Sequence, residues 1–533
     1  MQPRKVFLSV LLIIVLILSP TTLTLAADST LTEVRSLLEA GYVDPVPDEV
    51  LNAATVEQML DRLGDPHTMY FNAQEYQDFI NSMDNRFSGI GIHIDIVPEG
   101  VLILSVIGGS PAESAGLKAG DIIVQGAGRS LAGLGAEEAV SILRGPEGSQ
   151  VDLQVKRGTV TLHYTVTRKN IEEPTVQGEL VDGHIGYIEL NSFGSTTAAD
   201  FGAVLNNLRA QNADSWIVDV RDNPGGYLSA AIDLAGYLIG RETVVNIKYR
   251  NNESETYQAT DHGSALNQPV FLLTNENSAS ASEILSAAVK DHQKAVLIGT
   301  GTYGKGTVQS MFPLSDGGVL KMTVARFYSP LGKEINHVGV APDLNLKSAV
   351  NAKEVAELLI TSMSNSDGFL RYTLGTKTYN ISLAQVRSEK YWQAWGSVLD
   401  SLENPGLLQI GGAQGWSTVA AHELEARWPL YYPGYHELNA LTDIPLDKKF
   451  TVHFRGHINW KTVNTESIEL IESASGQRVP VEFEPLGDSD VKVVPTESLQ
   501  PGVSYLLVIH PEIENSNGVK MQEGALAVAN TAK

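Results

Sequence analysis

The chain has 533 residues, no cysteine and a formal net charge of −24. Without cysteine it can form no disulfide, thiol nucleophile or cysteine-ligated metal centre. So acidic a chain is also repelled at long range by nucleic acid and by anionic lipid. Its 43% of hydrophobic residues against 19% charged supply real cores, and the length calls for several domains.

Residues 1–27 read as a signal peptide or N-terminal anchor. Arg4 and Lys5 supply the positive end, Val6 to Leu18 the apolar core, and small residues follow up to Ala27. That run is shorter than the roughly 20 residues of a spanning helix. Cleavage is the favoured outcome, and the rest of the chain is expected outside the cytoplasm. An uncleaved N-terminus is the sole membrane contact foreseen. Residues 28–86 predict three helices, "LTEVRSLLEAGY", "DEVLNAATVEQMLDRLG" and "AQEYQDFINSM", with apolar residues recurring at three and four. Residues 87–170 hold alternating strands ("SGIGIHIDIV", "VDLQVKRG") and one short helix, the makings of a compact module. Residues 171–348 alternate strands and helices: "SWIVDVRD", "YLSAAIDLAGYLIG", "PVFLLTNE", "SASEILSAAVKDH", "AVLIGT". That is an α/β or α+β body. Residues 349–439 are mixed and carry no recognisable site. Residues 440–533 are β-rich, with short strands between Gly, Pro and Asp turns, and predict a small sandwich.

Lys305 sits among glycines in "IGTGTYGKGTVQ", residues 298–309. A phosphate loop needs Ser or Thr directly after its lysine, and then a helix. Here Gly306 follows, and the next segment is extended. A lysine buried in apolar surroundings can instead lose its proton and act as a general base. Its partner nucleophile, with no cysteine available, is a serine. "TNENSASASEILSAAV" runs from a strand into a helix and offers Ser278, Ser280 and Ser282. The helix N-terminus there favours developing negative charge. Ser280 or Ser282 also suits a plain helix cap, and chemistry alone does not choose among the three. "DVRDNPGG" ends a strand with two glycines, Gly225 and Gly226, whose N–H groups another chain can approach. Taken alone, it is better explained as an ordinary strand-to-helix turn. In an extended chain Lys305 and Gln309 share a face, so the amide oxygen is expected to accept a hydrogen bond from the amine.

Taken together, "NSASASEI", "GTYGKGTVQ" and "DVRDNPGG", with "LGDPHTMY", "SGIGI", "GGSPAESAGLKAGDII", "LRGPEGSQVDLQVKR" and "GVAPD" in order, resemble the carboxyl-terminal processing, or tail-specific, proteases over residues 30–346. The resemblance implies a PDZ domain ahead of a mixed α/β Ser/Lys protease core; residues 440–533 separately resemble the Ig-like β-sandwich modules of bacterial surface proteins, so an α/β and α+β multidomain chain is expected. The protease resemblance implies Ser280 as nucleophile, Lys305 as general base and Gln309 as its positioning residue. The oxyanion hole would be Ala281 with Gly225 or Gly226, Gly225 being favoured. Pro224 stands where many relatives have glycine. The PDZ loop Ser88, Gly89, Ile90, Gly91 and Ile92 would bind the free carboxylate of a substrate tail, which then adds as a strand. No cofactor or metal is implied. Partners would be proteins or peptides with free C-termini and an activating or adaptor protein, not nucleic acid.

Two rival readings are weaker. His422-Glu-Leu-Glu-Ala and His436-Glu-Leu-Asn-Ala approach the zinc pattern H-E-x-x-H, but Ala426 and Ala440 stand in place of the second histidine. An exported PDZ scaffold on an inactive protease body is the other. It has no support while Ser280, Lys305 and Gln309 are all present.

Overall fold

The computed structural model describes residues 21–263, 265–360, 368–402 and 404–533. Most of the expected export signal lies outside these residues, and Thr21 onwards belongs to the helix Thr21–Gly41. Among the described residues no helix is long and apolar enough to cross a membrane. The chain forms two compact units, one of Met1–Glu173, Asn246–Thr256 and Gly306–Phe327, the other of Pro174–Val245, Tyr257–Lys305 and Tyr328–Lys533.

In the first unit the N-terminal helices pack on a β-hairpin, Thr307–Pro313 with Val319–Tyr328. Val34, Leu38, Val50 and Met59 meet Leu314, Leu320 and Met322 in one core. The segment expected as one helix, "DEVLNAATVEQMLDRLG", is two, Asp48–Leu51 and Val56–Leu63. Thr55 interrupts it by accepting the Gln58 N–H (3.1 Å) and capping the second helix. A strand that periodicity did not reveal, Met69–Phe71, pairs antiparallel with Val319–Tyr328.

Residues 86–173 of this unit have a core of their own. Strands Ile92–Val97, Gly100–Val106, Ile122–Gly126, Gln150–Arg157 and Val160–Thr167 lie in that order in one sheet. The core includes Ile90, Val101, Ile103, Ile123, Leu143, Val151 and Val155. Strand Arg86–Gly89 pairs with Lys169–Glu172, joining the start of the module to its end. Asp121, buried, is held by both Nε and Nη2 of Arg157 at 2.7 Å. Burial works against the Asp121 carboxylate, but Arg157 and the Lys118 N–H hold its pKa below the ordinary value.

The second unit is built on a six-stranded sheet in the order Val176–Val181, Ile185–Leu190, Ser215–Asp219, Val270–Thr274, Val296–Gly299, Leu344–Asn345. Every pairing after the first is parallel. The loops following Asp219, Thr274, Gly299 and Asn345 therefore leave the same edge of the sheet, where open parallel sheets place ligands. All five positions of Ser215–Asp219 and of Val270–Thr274 are buried, as a sheet covered on both faces requires.

The core of this sheet does not stop at its helices. Phe271, Leu273 and Ile298 share one apolar cluster with Trp392, Trp395, Trp428, Tyr431 and Tyr432 of the mixed region, and with Ile471, Leu506, Val508 and Leu526 of the C-terminal strands. Those strands form a sheet of His436–Glu437, Ala525–Thr531, Ser504–Ile509 and Ile468–Glu472, and a second of Phe450–His453, Asp490–Pro495 and Val481–Pro485. Side chains alternate across a strand. Leu470, Leu507, Ile509 and Ala527 thus fill a separate core containing Val491 and Val493 of the second sheet. Their sequence neighbours join the core of the six-stranded sheet.

Candidate active site at the strand ends

Three serines stand at the junction of strand Val270–Thr274 and helix Ala281–Asp291, and they differ. Ser278 and Ser282 are fully buried. Ser278 Oγ donates to the Val220 carbonyl (2.7 Å) and Ser282 Oγ to the Asn223 carbonyl (2.9 Å), so both tie this junction to the neighbouring loop. Ser280 is half-buried, and its backbone has φ 56° and ψ −111°. A side chain with a Cβ is strained there. A similarly sharp strand-to-helix turn lifts the attacking hydroxyl clear of its surroundings in α/β-hydrolases.

The Val220–Gly226 loop is fixed against this turn. Asn223 accepts the Ala279 N–H on its carbonyl (3.0 Å), donates its side-chain amide to Leu190 O (2.7 Å), and accepts the Gly225 N–H on Oδ1 (2.9 Å). Gly225 has φ 101°, and a Cβ there would lie 2.8 Å from Ser280 Cβ and 2.9 Å from Ala281 N. Only glycine allows that approach. Gly226, at φ 149°, is packed as closely against the Phe193 carbonyl, 2.3 Å from a built Cβ. Ala281 opens the helix, where N–H groups have no partner within the helix itself.

Lys305 reaches the same place through Glu283, whose side chain is fully buried. Oε2 of Glu283 accepts the N–H of Ser280 (2.9 Å) and the N–H of Lys305 (2.8 Å). Oε1 accepts the Gly304 N–H (2.7 Å) and the Thr302 hydroxyl (2.6 Å). One carboxylate oxygen thus brings the backbones of Ser280 and Lys305 within about 6 Å of each other. Sequence reasoning passed over Glu283. Its signal was present as Ser-x-x-Glu, the pattern in which an acid three residues into a helix reaches back to the capping N–H. Thr302 carried no sequence signal. Gln309 lies on strand Thr307–Pro313 in the other unit, where its amide nitrogen donates to Thr307 Oγ1 (2.9 Å) and Thr323 Oγ1 (3.3 Å).

The loop Ser88–Ile92 opens onto a cleft of about 260 Å³ lined by Gly89, Ile90, Gly91, Ile92 and Ile94 on one side and by Val140, Leu143 and Arg144 on the other. Gly91, at φ 84°, allows the loop to pass Ser110, whose Cβ would lie 2.3 Å from an added Cβ. Ser88 Oγ is buried and makes no hydrogen bond. His422 lies in the helix Ala421–Ala426 and His436 in a short strand, and no group of three or more metal-ligating residues occurs among the described residues.

The Peptidase family S41 profile matches residues 184–346 and a PDZ domain profile matches residues 102–157. The chain is 39% identical over 305 residues to a carboxyl-terminal-processing protease of Picosynechococcus, covering 56% of this chain and 72% of that one. It is 32% identical over 318 residues to the carboxy-terminal processing protease CtpA of Bacillus subtilis, covering 59% and 68%. Among solved structures it resembles the photosystem II D1 C-terminal processing protease at 26% identity, covering 62% and 94%, with a TM-score of 0.42. Carrying a PDZ domain and an S41 peptidase core, the chain belongs to the carboxyl-terminal processing proteases, a family of serine peptidases.

Proposed function

We propose that this chain is an exported serine endopeptidase that cleaves protein substrates near their C-termini with a Ser280–Lys305 dyad. The observation that carries the reading is the strained backbone of Ser280, held on the same Glu283 oxygen as the backbone of Lys305. Strain of this kind is retained where the surroundings enforce it, commonly at reacting groups. Lys305, as the neutral amine, takes the Ser280 proton, and the alkoxide attacks the peptide carbonyl. The N–H groups of Ala281 and of the Gly225–Gly226 turn stabilise the oxyanion. At Gly225 the oxyanion shares a proton now given to Asn223. The protonated lysine then delivers its proton to the leaving amine, and water resolves the acyl-enzyme. Gln309 orients the lysine.

The loop Ser88–Ile92 receives the free carboxylate of the substrate tail, and the tail adds along Ile90–Ile94 as an extra strand. The apolar lining of the cleft favours an apolar last residue. The C-terminal strands form an Ig-like sandwich, and residues 1–27 direct export or anchor the chain. An activating or adaptor protein is a further partner in this reading. Nucleic acid is not, given the net charge of −24. A fluorogenic peptide with a free apolar C-terminus tests the reading. Wild-type turnover lost in Lys305→Ala is expected, and turnover undiminished by that change contradicts it.

A further inference from the structure

Gln309 is held by a chain of hydrogen bonds that begins far away in the sequence. Its amide nitrogen donates to Thr323 Oγ1, and Thr323, 1% exposed, pairs with it across the hairpin. Thr323 in turn donates its single hydroxyl proton to Asp65 Oδ2 at 2.6 Å. Thr68 donates to that same oxygen at 2.6 Å and accepts the Thr323 N–H at 3.1 Å. The His67 N–H donates to Asp65 Oδ1 at 2.9 Å. Burial raises the Asp65 carboxyl, yet the bonds from Thr323, Thr68 and His67 outweigh it and hold the group below its ordinary pKa. Asp65 is therefore a carboxylate and can only accept.

The direction of these protons has a consequence. A hydroxyl whose proton is committed to a carboxylate can only accept from its remaining neighbours. Those neighbours are the Thr68 hydroxyl, 3.4 Å away with its own proton given to Asp65, and the Gln309 amide, so the amide must present N–H and not C=O to Thr323. The two ends of an amide have nearly the same shape, and only such a network distinguishes them. With both N–H protons directed to Thr307 and Thr323, the amide oxygen is turned away from the hydroxyls.

We propose that Asp65 is a positioning residue for the reaction: acting through Thr323, it fixes the orientation of the Gln309 amide, with N–H toward the hydroxyls of Thr307 and Thr323 and Oε1 turned away from them. This rests on the role proposed above for Gln309 and Lys305. Asp65 itself touches neither substrate nor reacting atoms.

The test is a set of variants of the full chain, assayed for kcat and KM on the fluorogenic peptide, with thermal melts to verify folding. In Asp65→Asn the new amide donates to Thr323, the hydroxyl proton swings to position 309, and the glutamine reverses. A fall in kcat of about 10- to 100-fold with KM unchanged is expected. Thr323→Val should lose as much and Thr323→Ser little, and this pair carries the test if Asp65→Asn does not fold. Gln309→Glu alone sets two carboxylates competing for one proton and should also lose kcat. In the double variant Asp65→Asn/Gln309→Glu the freed proton serves the new carboxylate, and kcat should recover at least about tenfold over Gln309→Glu, since groups in one network couple. Losses that simply add, a Thr323→Val enzyme with full kcat, or an effect confined to KM overturn the inference while leaving the dyad intact. A Lys305→Ala enzyme with wild-type turnover overturns both.

Discussion

Residues 86–173 and residues 440–533 are both small β-rich segments, and both read as appended modules, yet they are built differently. The first closes a core from its own residues. The second splits its main sheet between two cores, giving Leu470, Leu507 and Ile509 to one and Ile471, Leu506 and Val508 to the core of the protease sheet. The sequence held the difference. Gln150–Arg157 alternates exposed and buried positions, as a sheet covered on one face does, whereas Tyr505 to Ile509 is buried at five consecutive positions. An unbroken apolar strand at the end of a chain signals a second covering surface. The C-terminal strands are thus structural to the peptidase, not a tethered spacer.

The largest effect expected from this contrast is on truncation. Removing residues 440–533 uncovers Trp392, Tyr431 and Tyr432, and the loss should exceed the about 5–15 kcal/mol by which a domain is ordinarily stable. We expect insoluble or inactive protein, while residues 86–173 alone melt cooperatively. A soluble truncated enzyme with wild-type turnover would break the comparison. Next in size is Gly476→Ala. Gly476 has φ +76°, and an added Cβ would lie 2.3 Å from Trp392 Cγ. A cost of roughly 2–4 kcal/mol in chemical denaturation of the full chain is expected from the overpacking and the backbone strain together.

The smallest effect belongs to the self-contained module. Asp121→Asn should cost residues 86–173 about 2 kcal/mol, the worth of charge-assisted bonds to a buried carboxylate. Because the folded pKa of Asp121 is depressed, its contribution is present above the ordinary carboxyl value and is lost as pH falls through the folded value. The melting temperature of this segment should therefore fall below about pH 4, and the variant should flatten that fall.

Sequence reading found the peptidase sheet because "SWIVD", "VFLLT" and "VLIG" are strands covered on both faces, each followed by a loop at one edge. It did not choose among Ser278, Ser280 and Ser282 on chemistry, because all three share one junction. What separates them is backbone conformation and burial, which composition does not encode. The break before Val56 was hidden inside a helical periodicity that continues across Thr55. The strand Met69–Phe71 is too short to show a period, and its partner is some 250 residues away. The pairing of Asp65 with Thr323 spans 258 residues and leaves no local trace. The mixed region carried no motif because its tryptophans and tyrosines serve packing.

The central claim is that the Ser280 hydroxyl attacks the substrate. Mass spectrometry of the protein quenched during peptide turnover tests it most directly. An acyl adduct mapped to the peptide containing Ser280, absent from Ser280→Ala, is the predicted result. An adduct on another residue, or turnover undiminished in Ser280→Ala, would contradict it.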